Sequence, residues 1–248
     1  MGVIDFGRED VTTERIYMKK SLIAFGFAAV LAFAMTACGA NSSGASGGNS
    51  QKTTSAKPVE LVLTESGYTT DSSGYVHYAV CLENTNADKA AEFPVVTIVG
   101  KDGDGAIVFS DDWVIGKVLP GEKAYYASQA GNGTAAKTVE FSVATDSEKW
   151  KTADTYPAGV YSIENTNYIE GKYGMASFTG QITLTQDNED FASPMIVVVL
   201  RDGDGAIVGG YDTYLNGKLT KDKPTAFELR AHSLPEFASF EVYANPWF

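Results

Sequence analysis

Residues 58–248 are predicted to fold as all-β, and three observations make the prediction. Apolar and polar residues alternate with period two in several segments. Short apolar runs are rich in β-branched residues. Turn signals built from Gly, Pro and Asp recur every ten residues or so. Alternation of period two marks a strand with one buried face, and closely spaced turns between such strands suggest a β-sandwich.

The elements follow in chain order. Val76, Tyr78, Val80 and Leu82 alternate with Tyr75, His77, Ala79 and Cys81, which predicts a half-buried strand. Val95-Val96-Thr97-Ile98-Val99 is read as a central strand covered on both faces. Asp102-Gly103-Asp104-Gly105 then supplies two Asp-Gly pairs between apolar runs, a strong hairpin signal. Leu119-Pro120-Gly121 is a further turn, and Val139-Glu140-Phe141-Ser142-Val143 a further strand. Beyond it, Phe178, Gly180, Ile182 and Leu184 alternate with Thr179, Gln181 and Thr183. Met195-Ile196-Val197-Val198-Val199-Leu200 is again expected to be buried on both sides, and Asp202-Gly203-Asp204-Gly205 to turn the chain.

The order repeats itself. Lys101-Asp102-Gly103-Asp104-Gly105-Ala106-Ile107-Val108 recurs as Arg201-Asp202-Gly203-Asp204-Gly205-Ala206-Ile207-Val208, and Leu119 with Glu122-Lys123 answers to Leu219 with Asp222-Lys223. Near the ends, Val139–Val143 resembles Ala238–Val242, while Leu82-Glu83-Asn84 stands roughly opposite Leu184-Thr185-Gln186. Two copies are therefore expected, 58–146 and 158–248, each large enough for its own core and joined around Ser147–Pro157. A strand running into Asp-x-x-Gly-x-Val/Ile, then a Leu-x-Pro-Gly turn and an apolar strand, resembles the FxLYD-type immunoglobulin-like domains. Both copies keep the aspartate and lack the aromatic positions, and Thr220-Lys221 replaces Pro-Gly in the second. The resemblance implies two tandem immunoglobulin-like β-sandwich domains of the kind found on bacterial surface lipoproteins, without a shared catalytic activity.

The N-terminal part has another character. Met18-Lys19-Lys20 precedes an apolar run from Leu22 to Met35, then Thr36, Ala37 and Cys38. A basic segment, an apolar segment and a small-residue cleavage site describe a secretory signal peptide. The apolar run falls short of the roughly 18–20 residues that span a bilayer. With cysteine at the cut, residues 18–37 resemble a lipoprotein signal ending in a lipobox. That resemblance implies a diacylglycerol thioether on Cys38 and a membrane-anchored, extracytoplasmic location. Each buried lipid CH₂ contributes about 0.8 kcal/mol, and stable anchoring usually takes two chains. Residues 1–17 fit no part of an export signal and are expected to stand outside the native protein. Residues 38–57 comprise the cysteine and a tract of Gly, Ala, Ser, Asn and Thr, read as a tether of about 25 Å. Gly39 after the cysteine is not acidic, which would favour outer-membrane sorting in a cell that has one.

Motifs that carry chemistry are few. Gly44-Ala45-Ser46-Gly47-Gly48 matches a nucleophile pattern, yet a coil lacks the strand-to-helix turn that chemistry needs. Gly203-x-Gly205 stops short of a dinucleotide fingerprint at Val208. Asp102 and Asp104, with Asp202 and Asp204, resemble the start of a calcium loop, but Ala106, Ile107 and Trp113 fill positions an EF-hand gives to an oxygen ligand, Gly and Glu. A looser surface cation site at these four aspartates stays open beside the turn reading. Asp111 and Asp112 are adjacent, so on a strand they point to opposite faces. The two histidines, His77 and His232, lie in different copies, which excludes a duplicated histidine site. Cys81, the only cysteine besides Cys38, is read as facing outward from its strand or as a buried thiol. No cofactor is expected.

Charge and aromatic residues bound the partners. The chain carries a formal net charge of −12, and residues 1–37 hold equal numbers of acidic and basic side chains, so the remainder keeps that charge. An acidic chain of this kind repels nucleic acid and anionic lipid. Trp113, Tyr125 and Tyr126 in the first copy, with Tyr211, Tyr214 and Phe227 in the second, follow the Asp-Gly turn at comparable places. They are read either as core or as an exposed platform for a protein or sugar. The expected role is non-catalytic binding or scaffolding with a protein partner at the cell envelope. Glycan or cell-wall binding is the alternative, and a surface hydrolase with two convergent carboxylates the third class.

Overall fold

The computed structural model describes residues 57–152 and 159–247. The expected signal peptide, Cys38 and the expected tether to residue 56 lie outside the described residues, as do residues 153–158 of the expected junction.

Among the described residues the regular elements are strands, apart from two single 3-10 turns at Ser147–Lys149 and Glu189–Phe191. The first copy contributes β1 (Val62–Thr70), β2 (Val76–Glu83), β3 (Lys89–Glu92), β4 (Val95–Lys101), β5 (Ile107–Val114), β6 (Lys117–Val118), β7 (Lys123–Ala130) and β8 (Thr138–Ala144), and the junction adds β9 (Trp150–Thr152). The second contributes β10 (Tyr161–Glu170), β11 (Met175–Leu184), β12 (Pro194–Arg201), β13 (Ile207–Tyr214), β14 (Thr225–His232) and β15 (Ser239–Pro246). Sheets β1-β2-β7 and β5-β4-β8 come from the first copy, β6-β3-β9 from the first copy and the junction strand, and β10-β11-β14 and β13-β12-β15 from the second. All their ladders are antiparallel. Among the described residues no helix is long and apolar enough to cross a membrane.

The Asp-Gly turns join β4 to β5 and β12 to β13. In each, the aspartate carboxylate accepts the backbone N–H groups two and four residues on, at 2.9 Å, and Gly105 or Gly205 sits at positive φ. The short Asp side chain stands in for a backbone acceptor, and Gly takes the left-handed position without a Cβ clash. Asp71 closes the β1–β2 hairpin the same way, accepting from Ser73 and Tyr75.

Within the first copy, Tyr78 of β2 turns its ring toward Trp113 of β5 and Phe141 of β8, at centroid distances of 6.3 and 5.4 Å. Sheet β1-β2-β7 thus covers sheet β5-β4-β8. In the second copy Phe178 of β11 meets Phe240 of β15 at 5.2 Å. The copies then join through non-equivalent faces. A Cβ built on Gly210 of β13 would stand 2.7 Å from the Ala79 Cβ and 2.8 Å from the Ala127 Cβ, so the outer face of β1-β2-β7 lies directly on β13-β12-β15. Residues 54–248 accordingly form one compact unit.

This docking corrects two expectations. β2 is buried from Val76 to Leu82 rather than half-buried, because the second copy covers the face carrying His77, Ala79 and Cys81. β4 alternates instead of being buried throughout, whereas β12 is buried on both faces as its composition predicts. The ladders place Thr97 beside Asp112 and Ser142, and Val197 at the corresponding place beside Asp212 and Tyr243. The Thr97 hydroxyl donates to Asp112 Oδ1 at 2.6 Å on an open face. Its apolar counterpart, Val197, is buried.

Candidate functional site

The seam between the copies gathers polar side chains at two places. At one, the Arg201 guanidinium donates from Nε to Glu241 Oε2 at 2.7 Å and from Nη1 to Glu65 Oε2 at 2.8 Å. It also donates from Nη2 to the Tyr125 hydroxyl at 3.2 Å, while that hydroxyl donates to Glu65 Oε1 at 2.7 Å. Tyr125 and Tyr243 stack 4.3 Å apart, and Asn245 Nδ2 donates to the Tyr125 carbonyl at 2.6 Å. The hydrogen bonds from Tyr125 and Arg201 hold the Glu65 carboxyl below its usual range.

At the other place the two histidines meet. His77 Nε2 lies 3.3 Å from Asp71 Oδ2, and its ring sits 4.9 Å from Tyr211 and 5.5 Å, edge-on, from His232. The Tyr211 hydroxyl donates to the carbonyls of His232 and Ser233. Burial pushes the His77 pKa down, Asp71 opposes that shift and His232 adds to it. A His–Asp pair of this kind resembles part of a hydrolytic relay, but His77 is only 3 % exposed and packs against Tyr211, leaving no approach for a substrate.

Beside the first cluster a cavity of about 380 Å³ opens, with walls from both copies. Leu119 and Pro120 form one side, Val160 and Ile163 a second, and Val242 and Ala244 a third. The Leu119–Glu122 turn positions the one carboxyl group among the described lining residues, Glu122. Gly121 takes φ +71°, the Glu122 N–H donates back to the Leu119 carbonyl, and Glu122 Oε2 accepts the Leu119 N–H at 2.9 Å. Burial raises the Glu122 pKa and the Leu119 N–H partly offsets it. The hydroxyl of Tyr161, which also lines the cavity, donates to the Phe191 carbonyl at 2.8 Å.

The sequence-derived candidates are scattered by the fold. Tyr126 and Tyr211 are buried, and Trp113 is half-buried with its ring edge-on to Tyr78 and Tyr126. Tyr125 belongs to the seam. Tyr214 is 47 % exposed, packs on Trp247, and borders a separate recess with Glu228 and Arg230. The five aromatic residues therefore share no single open face. Asp104 and Asp204 are exposed at the turn tips, Asp102 and Asp202 are half-buried and turned onto the turn backbone, and among the described residues no group of three or more His, Cys, Asp or Glu is placed to hold a metal ion. Cys81 faces away from its own copy yet is fully buried by the other. The meeting of His77 with His232 and the cavity at Glu122 were not anticipated, since their parts come from distant segments. No protein-family model matches the chain, and no curated protein matches it.

Proposed function

We propose that this chain is a membrane-anchored lipoprotein of the extracytoplasmic face that acts as a non-catalytic binding or scaffold module for a protein partner at the cell envelope. Lipid on Cys38 and the Gly/Ser-rich tether hold the folded part near the membrane, and two FxLYD-type immunoglobulin-like β-sandwiches, fused along their seam, present it. The observation that carries the reading is the recess at Glu122, whose walls, part apolar and part polar, come from both copies. A concave site that sets apolar side chains beside a few fixed polar groups, here the Glu122 carboxyl and the Tyr161 hydroxyl, suits the capture of an inserted side chain. Carboxylate-based hydrolysis would instead require a second carboxyl across the cleft, and Glu122 is the one carboxylate among the described lining residues.

Cross-linking on intact cells, followed by mass spectrometry of what stays attached to the full-length lipoprotein, tests this. A discrete protein in stoichiometric yield supports the reading. Recovery of neighbouring lipoproteins alone overturns it, and binding on a glycan array by the soluble 58–248 fragment would then establish the glycan alternative. A Cys38→Ala chain that still partitions with membranes would remove the anchor from the proposal.

A further inference from the structure

We infer that the recess at Glu122 receives a lysine side chain of the partner protein, its four-carbon stem along the apolar walls and its ammonium group at the Glu122 carboxylate. The inference rests on the binding-module reading above and names the chemistry that the site selects.

The walls offer an apolar track for a stem, beside the phenols of Tyr161 and Tyr243. Leu119, Pro120, Val160, Ile163, Val242 and Ala244 offer no charge to an entering group, and about 380 Å³ lies within the size range of small-molecule sites. Glu122 selects the head. An ionised carboxylate accepts through two oxygens at about four positions, and the Leu119 N–H engages Oε2. A guanidinium fork is best matched when both carboxylate oxygens are presented together, whereas an ammonium is a point charge that one oxygen satisfies. Burial disfavours the charged form of Glu122, and a cation seated beside it would restore that form. The phenols of Tyr126 and Tyr161 lie close enough to feel its charge and supply no positive one. The basic residues flanking the turn are paired elsewhere, Lys117 with Glu92 at 3.1 Å and Lys123 with Glu83 at 3.5 Å. The net charge of −12 further steers a basic partner toward the surface.

The test uses detergent-solubilised full-length protein and methyl NMR of Val160, Ile163 and Val242. The probes are a capped Ala-Ala-Lys-Ala-Ala peptide, its norleucine and arginine counterparts, and n-pentylamine. The lysine peptide is expected to shift these methyl signals and to bind at least tenfold more tightly than the norleucine and arginine peptides. Glu122→Gln keeps an acceptor for the Leu119 N–H, and should weaken the lysine peptide tenfold while leaving the norleucine peptide unchanged. Ala244→Leu fills the recess without touching Glu122 and should abolish binding of every probe. Equal binding of lysine and norleucine peptides, or methyl shifts elsewhere, overturns the inference, and binding of n-pentylamine alone overturns a protein source for the amine. Cross-linking of the Glu122→Gln lipoprotein on cells separates the two failures. A partner retained at wild-type yield sinks the lysine site and leaves the binding-module reading standing. Absence of any partner from the wild-type chain sinks that reading itself.

Discussion

Arg201 and Glu65 belong to different copies, 136 positions apart in the chain, and meet at 2.8 Å across the seam. The repeat makes this contact informative, because Lys101 and Glu140 form the corresponding pair to Arg201 and Glu241 on the open face of the first copy. The Arg201 side chain is 14 % exposed and that of Lys101 28 %, and only Arg201 has two carboxylates and a phenol to satisfy. Arg201→Ala would leave Glu65 and Glu241 facing each other without their cation. Both carboxylates are partly solvated, so the expected cost is about 2 kcal/mol, between the value for exposed pairs and that for breaking buried ones. Lys101→Ala should cost less than about 1 kcal/mol. Urea unfolding of the two variants checks the contrast, and equal costs would remove the seam network from the account of stability.

Acidification should loosen the opposite end of the seam. The folded-state pKa of His77 lies below 6.5, because burial outweighs the help of Asp71. Between that depressed value and 6.5 the unfolded chain binds more protons than the native one, so stability is complete above pH 6.5 and falls as pH drops through the window. Asp71 acts at lower pH. Burial pushes its carboxyl up, but the N–H groups of Tyr75 and Ser73 and the His77 ring hold it below 3.8, adding stability that disappears in stronger acid. Buried Asp212, whose carboxyl burial pushes up to about 6, works in the opposite direction over the same range, so the contribution of His77 is read as a difference. The stability of the native protein relative to His77→Gln should fall as pH drops from 7.5 to 5 in thermal melts, and a difference that stays constant over this range would contradict the assignment.

What could be read from the sequence was local. The turns at Asp102 and Asp202 follow from Asp-Gly chemistry over five residues, and the inward rows Tyr78–Leu82 and Phe178–Leu184 follow from alternation. Alternation says nothing about what lands on the other side of a strand, so β2 looked half-buried until the second copy covered it. A hint lay in side-chain chemistry. Where the open outer face of β11 carries Ser177, Thr179 and Gln181, the covered face of β2 carries His77, Ala79 and Cys81. Thr97 likewise marks β4 as open, against Val197 in β12. The Glu122 recess left no such trace, since three separated segments build its walls and each reads alone as ordinary strand or turn.

The close approach at the seam depends on Gly67. A Cβ at that position would stand 1.8 Å from the Ile207 carbonyl oxygen of the second copy, a backbone atom that no rotamer change can move. Gly67→Ala should thus cost more than 3 kcal/mol, above the usual 1–3 kcal/mol of overpacking, by forcing the copies apart. Gly103 is a fair control because a Cβ there meets nothing within 4 Å, and Gly103→Ala should fall within about 0.5 kcal/mol of the native chain. Denaturant midpoints of the pair measure the difference, and a Gly67→Ala chain as stable as the native one would mean that the seam yields easily.

Cys81 reports the same seam chemically. Burial raises its thiol pKa, with Thr64 and Tyr125 pulling the other way, and the side chain has no exposed surface. The reactive form is the thiolate, so the native thiol should resist a maleimide at pH 7 and react within minutes in 6 M guanidinium. Rapid labelling of the native chain would show that the two copies separate freely in solution.

Glu122 makes a prediction of opposite sign to that of His77. Its folded-state pKa lies above 4.5 through burial, so between 4.5 and the raised value the native chain holds the proton that the unfolded chain has lost. Stability is then greatest below pH 4.5 with respect to this group and declines as pH rises through the folded value, beyond which the whole cost of a buried carboxylate is present. Gln has nearly the same shape and can accept the Leu119 N–H, yet it carries no charge to desolvate. Glu122→Gln should therefore raise stability at pH 7 by on the order of 1 kcal/mol, with the gain shrinking to zero near pH 4. Urea unfolding of both chains at the two pH values decides it. A loss of stability at pH 7 would mean that the ionised carboxylate already has a partner in the free protein, and that the recess is not waiting for a cation.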